Sequence, residues 1–400
     1  MKIKPIFHAF LFAIIINYAQ AQTEPQYKNA RVINLGKEFN SPVMDYAPYL
    51  SADGTMFFVS DREGSQPTKE GILSHDIWVS FKKPNQDTAF FTPFNPDPPQ
   101  KNGKIRLNTL LNEGAACISL DKKRLYFTGC NRIDGIGDCD IYVASILYKK
   151  DSITIEGVVN IGRGINSEYW DSQPSISPDN RRLYFVSNRP NPEHGKGIDI
   201  WYSDLDTLNN EWQHAKPLPK SINTGEIENS PHIAPDNRTL FFASNGHTPN
   251  YGKTDFYYSR MSSDGIWSKP INLGKPINTE EAERFICSNI TGNTLYFSST
   301  RTDVPGNQGG YDIFAATVPN ILEEVNTVSW QQSDDGDAEI IISNGNITIR
   351  SFQMGWSTSG RHSFTWDGND HKINRVPSGK YYYEVKVSGV KDTQGVLLMK

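Results

Sequence analysis

Five pieces of one stretch decide the fold: Ile165-Asn166-Ser167, Asp171, Gln173-Pro174-Ser175-Ile176-Ser177-Pro178-Asp179-Asn180, Leu183-Tyr184-Phe185-Val186-Ser187-Asn188-Arg189 and Asp199-Ile200-Trp201. Pro178-Asp179-Asn180 reads as a turn, because Pro presets φ and the Asp and Asn side chains bond their own backbone. Leu183-Tyr184-Phe185 is β-prone and apolar enough to be buried on both faces. Asp199 opens a further strand. The template recurs five times. Its strand-opening Asp returns at Asp76, Asp140, Asp199, Asp255 and Asp312, at intervals of 56 to 64 residues. Its apolar triplet returns as Met56-Phe57-Phe58, Leu125-Tyr126-Phe127, Leu240-Phe241-Phe242 and Leu295-Tyr296-Phe297.

A unit of this kind cannot bury its apolar faces alone, so repeats must stack. Each unit reads as three strands, with a fourth in the spacer, for example Glu211-Trp212 or Gly265-Ile266-Trp267. Four antiparallel strands per unit make a propeller blade. Val32-Ile33-Asn34-Leu35-Gly36-Lys37 matches Pro270-Ile271-Asn272-Leu273-Gly274-Lys275, an outer strand leading into the next blade. The first copy has no blade before it. It is predicted to complete the last blade, after Asp312-Ile313-Phe314, which removes an exposed sheet edge. The expected fold is all-β: a five-bladed β-propeller followed by a small Ig-like β-sandwich. A sixth blade would need a degenerate unit hidden in 82–107 or after 320.

Composition bounds the same answer. The 400 residues are 37% apolar and 12% aromatic, with 31 glycines and 24 prolines. That excludes a helical bundle and a polytopic membrane protein. A net charge of -5 argues against a nucleic-acid partner. Residues 1–21 read as a signal peptide: Lys2 and Lys4, an apolar run from Ile6 to Ile16, and Ala19-Gln20-Ala21 for cleavage. No transmembrane segment is expected once it is removed. The chain is expected to be exported, to the periplasm or to the outer membrane or cell surface. The expected domains are 1–21, a propeller over 22–319, a linker over 320–337 and a sandwich over 338–400.

The run Ser177-Pro178-Asp179 … Leu183-Tyr184-Phe185 … Ser187-Asn188-Arg189 … Asp199-Ile200-Trp201 resembles the WD40-like repeats of TolB-type propellers of the bacterial envelope. The resemblance covers roughly residues 30–317. Two repeats depart from it: Thr291 replaces the turn Asp of the fifth, and Gly246 replaces the Arg of the fourth. Further on, Gly360-Arg361-His362-Ser363-Phe364-Thr365-Trp366 and Val376-Pro377-Ser378-Gly379-Lys380-Tyr381 resemble the Ig-like domain of the flagellar hook-cap protein. Ser333-Asp334-Asp335-Gly336-Asp337 lacks the spacing of a calcium loop and reads as a solvated turn.

Cys130 ends the second strand of its blade and Cys139 begins the third, so the two can face each other across a hairpin. In an oxidising compartment they are read as a disulfide, the alternatives being two free thiols or a metal pair. Cys117 and Cys287 occupy equivalent first-strand positions and are expected to stay reduced. Without Cys-x-x-Cys, no zinc site is expected, and no cofactor.

Aligning the repeats exposes candidate binding residues. Asp45, Glu113, Asp171, Glu228 and Glu283 each begin a first strand, the strand that lines a propeller's axial channel. Five carboxylates ringing a channel mouth would attract a cation or a Lys/Arg-bearing segment. The structural alternative is pairing with Arg62, Arg132, Arg189 and Arg301, which recur after the second strand. Asn40, Asn108, Asn166, Asn223 and Asn278, each followed by Ser or Thr, read as turn residues. No Gly-x-Ser-x-Gly, His-Glu-x-x-His or phosphate loop occurs. The expected function is therefore non-enzymatic, and the TolB-type resemblance implies an envelope scaffold whose face loops engage a protein or a peptidoglycan-associated partner. The alternative is a glycan-binding or glycan-cleaving surface propeller of sialidase-like kind.

Overall fold

The computed structural model describes residues 27–84, 86, 88–97, 106–149, 152–262, 264–319, 321–322, 326–366 and 368–399. Residues 1–21, read above as a signal peptide, and parts of 87–100 lie outside the described residues. Every named element is a strand, and no described helix is long and apolar enough to cross a membrane.

An isolated outer strand, β1 (Arg31–Asn34), comes first. The first blade holds β2 (Asp45–Leu50), β3 (Thr55–Ser60) and β4 (Asp76–Phe81). The second holds β5 (Glu113–Ile118), β6 (Arg124–Cys130), β7 (Cys139–Lys149) and β8 (Ser152–Asn160). The third holds β9 (Asp171–Ile176), β10 (Arg182–Ser187), β11 (Asp199–Asp206), β12 (Glu211–Trp212) and β13 (Lys216–Pro217). β14 (Glu228–Ile233), β15 (Thr239–Ser244), β16 (Asp255–Arg260) and β17 (Ile271–Asn272) form the fourth. The fifth has β18 (Glu283–Ser288), β19 (Thr294–Ser299) and β20 (Asp312–Thr317). β1 pairs antiparallel with β20, Arg31 opposite Thr317 and Asn34 opposite Phe314, so the N-terminal strand completes the last sheet. Each first strand touches the next one, from β2 through β5, β9 and β14 to β18, and β18 touches β2. Five sheets thus close a ring.

Two spacers differ from expectation. In the fourth blade the pairing strand is Ile271–Asn272, while Trp267 makes only an isolated bridge to Met261. Gly265, at φ +80°, folds its stretch into a tight turn instead. In the first blade Phe90 bridges Lys82 and Phe94 bridges Val79, so this part of 82–107 belongs to the first sheet.

The apolar triplets explain the stacking. Side chains alternate along a strand, so one second strand serves two neighbours. Phe57 packs with Leu125 and Phe127 of the second blade, whereas Met56 and Phe58 pack with Tyr296 and Ile313 of the fifth. Each of the five blade interfaces has its own buried cluster. Cys117 and Cys287 are free thiols buried in two of them.

Polar groups stitch the same interfaces. Asn166 accepts from the Ile141 N–H at 2.9 Å and donates to the Ile141 carbonyl at 2.9 Å, a side chain standing in for a strand. Asn40 does this with Ile313, Asn108 with Ile77, Asn223 with Ile200 and Asn278 with Phe256. All five amides are buried. Every first strand also carries a bulge at one position. Ala47, Gln173, Ser230 and Phe285 sit there at φ 53–57°, a left-handed conformation that costs non-glycine residues energy. The bulge turns N–H groups toward the neighbouring blade: Ala47 donates to Ser298, Gln173 to Thr128 and Ser230 to Gln173.

The C-terminal domain has two sheets. β22 (Gly336–Ser343), β23 (Thr348–Ser357), β25 (Gly379–Val387) and β26 (Val390–Met399) form one, ordered β23-β22-β25-β26. β21 (Thr327–Gln332) and β24 (Gly360–Thr365) form the other. The 320–337 segment is therefore not simply a linker. It supplies β21, whose Val328 and Trp330 are buried beside Trp366 and Ile340. These two side chains give the segment an apolar face that only a second sheet can cover.

This domain sits on the propeller end that carries the turns between first and second strands. Arg181 donates to the Gln331 carbonyl and forms a 2.9 Å ion pair with Asp392. Lys380 donates to the Ala52 carbonyl. Val396 and Leu398 join a buried cluster with Ile321 and Leu322, against which Leu120, Ile290 and Tyr382 pack. We call this the lower face. The opposite, upper face carries the loops between second and third strands and those leading into first strands.

Replacing Asn166 by Ala strands the buried Ile141 N–H and carbonyl. It is expected to cost about 2–4 kcal/mol, measured by denaturant unfolding. Loss of less than about 0.5 kcal/mol would show that the stitch is dispensable.

Candidate functional site

The five first-strand acids are all buried, and both oxygens of each are engaged. Each folds back onto the residue four positions earlier. Asp45 accepts from the Ser41 N–H and hydroxyl, and Asp171 from those of Ser167. Glu113, Glu228 and Glu283 accept from Thr109, Thr224 and Thr279 in the same way. The acid thus closes the turn that carries the stitching Asn. Arg62 pairs with Asp45, Arg189 with Asp171 and Arg132 with Glu113, the last at 2.8 Å. Ser244 and Ser299 hydroxyls complete Glu228 and Glu283. The expectation of a carboxylate ring around a channel mouth gives way to five closed turns.

The arginines have a second task, which explains the departures. Arg62, Arg132, Arg189 and Arg301 donate to the carbonyls of Phe39, Leu107, Ile165 and Ile277, each just before a stitching Asn. In the fourth blade, where Gly246 replaces Arg, His247 Nε2 lies 2.7 Å from the Ile222 carbonyl. Arg301 turns its guanidinium to Asp303 rather than to Glu283. In the fifth blade Asn289 does the work of the missing turn Asp, accepting from the Asn293 and Thr294 N–H groups.

The strand-opening acids belong to the same network. Asp76, Asp140, Asp255 and Asp312 accept from the N–H of Gln66, Ile136, Tyr251 and Gln308 in the upper loops. They also accept from Asn95, Asn160, Asn272 and Asn34. Those asparagines in turn accept from the stitching Asn108, Asn166, Asn278 and Asn40. This column escaped sequence reading, although Asn34 and Asn272 stand in the matched Ile-Asn-Leu-Gly runs. The third blade breaks it, where Asn223 donates instead to the Leu218 carbonyl.

Burial dominates the titration of the buried acids. It lifts Glu283 from 4.5 to about 7, against the Thr279 and Ser299 donors. Glu113 rises to about 7 against Arg132 and Thr109, and Asp76 to about 6 against Ser74 and Gln66. Burial also raises Asp140, Asp199, Asp255 and Asp312.

The axis holds two small cavities, of about 30 and 40 Å³. Each has room for a few water molecules. Tyr49 and His232 line both, and no carboxylate lines either. His232 is neutral. Burial pushes its pKa down to about 3, and its Nε2 accepts from the Ser288 N–H.

Cys130 and Cys139 are joined by a disulfide at the base of the 131–138 loop on the upper face. Among the described residues no group of three or more His, Cys, Asp or Glu is placed to hold a metal.

Residues 319–391 match the FlgD Ig-like domain model. No curated protein matches the chain. Among solved structures it is similar to TolB from Acinetobacter baumannii, with 14% identity, 70% of this chain and 55% of that one covered, and a TM-score of 0.35. It is similar to the alpha-L-arabinofuranosidase from Lactobacillus brevis, with 13% identity, 73% and 95% coverage and a TM-score of 0.42. Bacillus subtilis levansucrase is a third, with 14% identity, 69% and 86% coverage and a TM-score of 0.40. The chain joins a ring of five β-sheets to a domain that matches the FlgD Ig-like model.

A carboxyl raised on folding stabilises the fold below its unfolded pKa and loses that contribution as pH rises through its folded value. For Glu113, Glu283 and Asp76 that loss begins at about pH 4, where the unfolded carboxyls ionise, and ends only as pH passes about 6 for Asp76 and about 7 for the two glutamates. His232 acts oppositely, its contribution present above 6.5 and lost toward about 3. The acids outnumber it. The apparent Tm should be higher at pH 6 than at pH 8, and Glu283→Gln should flatten that difference. A Tm that rises from pH 6 to pH 8 would contradict this.

Proposed function

We propose that the protein is a non-enzymatic scaffold of the bacterial envelope that binds a protein or cell-wall partner through its upper-face loops. One observation carries the reading: the five recurrent first-strand acids, the candidates for axial binding or catalysis, are consumed by the blade junctions. Glycoside cleavage asks for two carboxyl groups about 5–10 Å apart facing a substrate space. The axial cavities hold a few waters and are lined by no carboxylate. The lower face is engaged by the C-terminal domain. What a rigid ring leaves for recognition is its upper loops. The TolB-type resemblance of the repeats and the signal-peptide pattern read in residues 1–21 support the envelope location. The glycan-binding alternative rests on Tyr169, Trp170 and Tyr251, aromatic residues of those loops that are partly or well exposed.

Oriented capture tests the proposal. The mature protein is immobilised through Ile373→Cys in the C-terminal domain, or through Glu226→Cys on the upper face, and exposed to solubilised envelope and to peptidoglycan sacculi. Retention of a partner only in the first orientation is expected, with no turnover of a panel of chromogenic glycosides. Turnover, or equal retention in both orientations, would overturn it.

A further inference from the structure

We propose that the disulfide-clamped loop 131–138 is the anchor by which the upper face grips its partner, a basic segment with an apolar side chain at its contact. This rests on the scaffold reading above and goes further in naming the loop and the partner's chemistry.

Rigidity is the first observation. Cys130 and Cys139 are the last paired residues of β6 and β7, and the disulfide locks the loop's base. The Asn131 N–H bonds the Asp138 carbonyl, and the Gly135 N–H bonds the Arg132 carbonyl. Arg132 is drawn inward, held by Glu113 and the Arg106 and Leu107 carbonyls, with its guanidinium 4.7 Å from the Tyr142 ring centre. Gly137 lies flat on the next blade. A Cβ there would come within 2.2 Å of the Tyr169 carbonyl oxygen. Asp140 accepts from the Ile136 N–H, and the Tyr142 hydroxyl donates to Asp134.

Exposure is the second. With its neighbours pinned, Ile133 projects fully into solvent, at 102% of its reference area. Leu110, in the turn leading into the strand that begins at Glu113, is also exposed. An apolar side chain that is exposed yet held in place binds without losing loop entropy, the property of a preorganised hot spot. A mobile tip would offer no such advantage.

Charge is the third, and it selects the partner. Asp134 follows Ile133 and Asp138 ends the loop, both exposed, and Glu168 stands exposed in the segment against which Gly137 packs. An apolar knob on a loop that carries two exposed carboxylates and packs on a segment with a third complements an apolar socket rimmed by Lys or Arg, and repels an acidic surface.

The test is photo-crosslinking in intact cells that make the protein. Benzoylphenylalanine is placed at position 133, at Ile72 and Tyr251 on the same face, or at Leu208 at the opposite end. Crosslinked segments are sequenced by mass spectrometry. The expected result is capture at 133 of a Lys/Arg-rich segment, reduced about tenfold by Asp138→Lys with Glu168→Lys and similarly by Cys130→Ser with Cys139→Ser. Circular dichroism checks that both double variants keep their fold. Capture at 72 or 251 but not at 133, an acidic captured segment, or indifference to the charge reversal would overturn the anchor and leave the scaffold reading standing. Capture only at 208, or nowhere, would overturn both.

Discussion

Five buried asparagine side chains, each paired with the backbone of the preceding blade's third strand, are the constraint on which the ring depends. A blade sheet ends where its fourth strand peels away to enter the next blade. At that point the third strand would leave an N–H and a carbonyl without partners in a dry interface, which costs more than any single apolar contact nearby supplies. An amide side chain offers one donor and one acceptor in the right geometry, so Asn40, Asn108, Asn166, Asn223 and Asn278 end the pairing without breaking it. The buried acid four residues beyond the following Ser or Thr closes the turn that holds the amide. The Arg, or His247 in the fourth blade, ties down the carbonyl in front of it. A hydrophobic ring alone would leave the blades free to slide; this polar circuit fixes their register.

The consequence for function is subtraction. Most of the recurrent ionisable residues are spent inside the circuit, and burial lifts several of the carboxyls toward neutrality. The propeller keeps narrow axial cavities, with Tyr49 and a neutral His232 at their common wall. The C-terminal domain takes the lower face through Arg181, Asp392 and an apolar seam. Recognition is left to the loops of the upper face, which differ in length and chemistry from blade to blade far more than the circuit does. A fold that repeats its architecture strictly can vary its surface freely, and the disulfide-clamped loop of the second blade is where variation and rigidity meet.

Much of this was legible in the residues. The recurrent Asp and the aromatic triplets located the blades, and the paired Ile-Asn-Leu-Gly runs located the closing strand. The columns of acids and asparagines were visible too, but not their direction. An acid at the first residue of a strand is aimed by the preceding turn rather than by strand alternation, so the five carboxylates point back into the turns instead of lining the axis. The Asn34, Asn95, Asn160 and Asn272 column was hidden because fourth strands vary in length and the third blade breaks the pattern. Thr327–Gln332 read as linker because its polar residues mask two buried side chains, Val328 and Trp330. Ile133 could not be singled out from sequence, since only the inward pull on Arg132 and the packing of Gly137 turn it outward.

The most direct test of the polar circuit is native-state hydrogen exchange at the amides of Ile77, Ile141, Ile200, Phe256 and Ile313, the donors to the five asparagines. If the circuit holds the ring, these amides exchange only through global unfolding, as slowly as those of Phe127, Phe185 and Phe297 in the second strands. If they exchange as fast as upper-loop amides while the second strands stay protected, the ring is held by apolar packing and the circuit is an accessory.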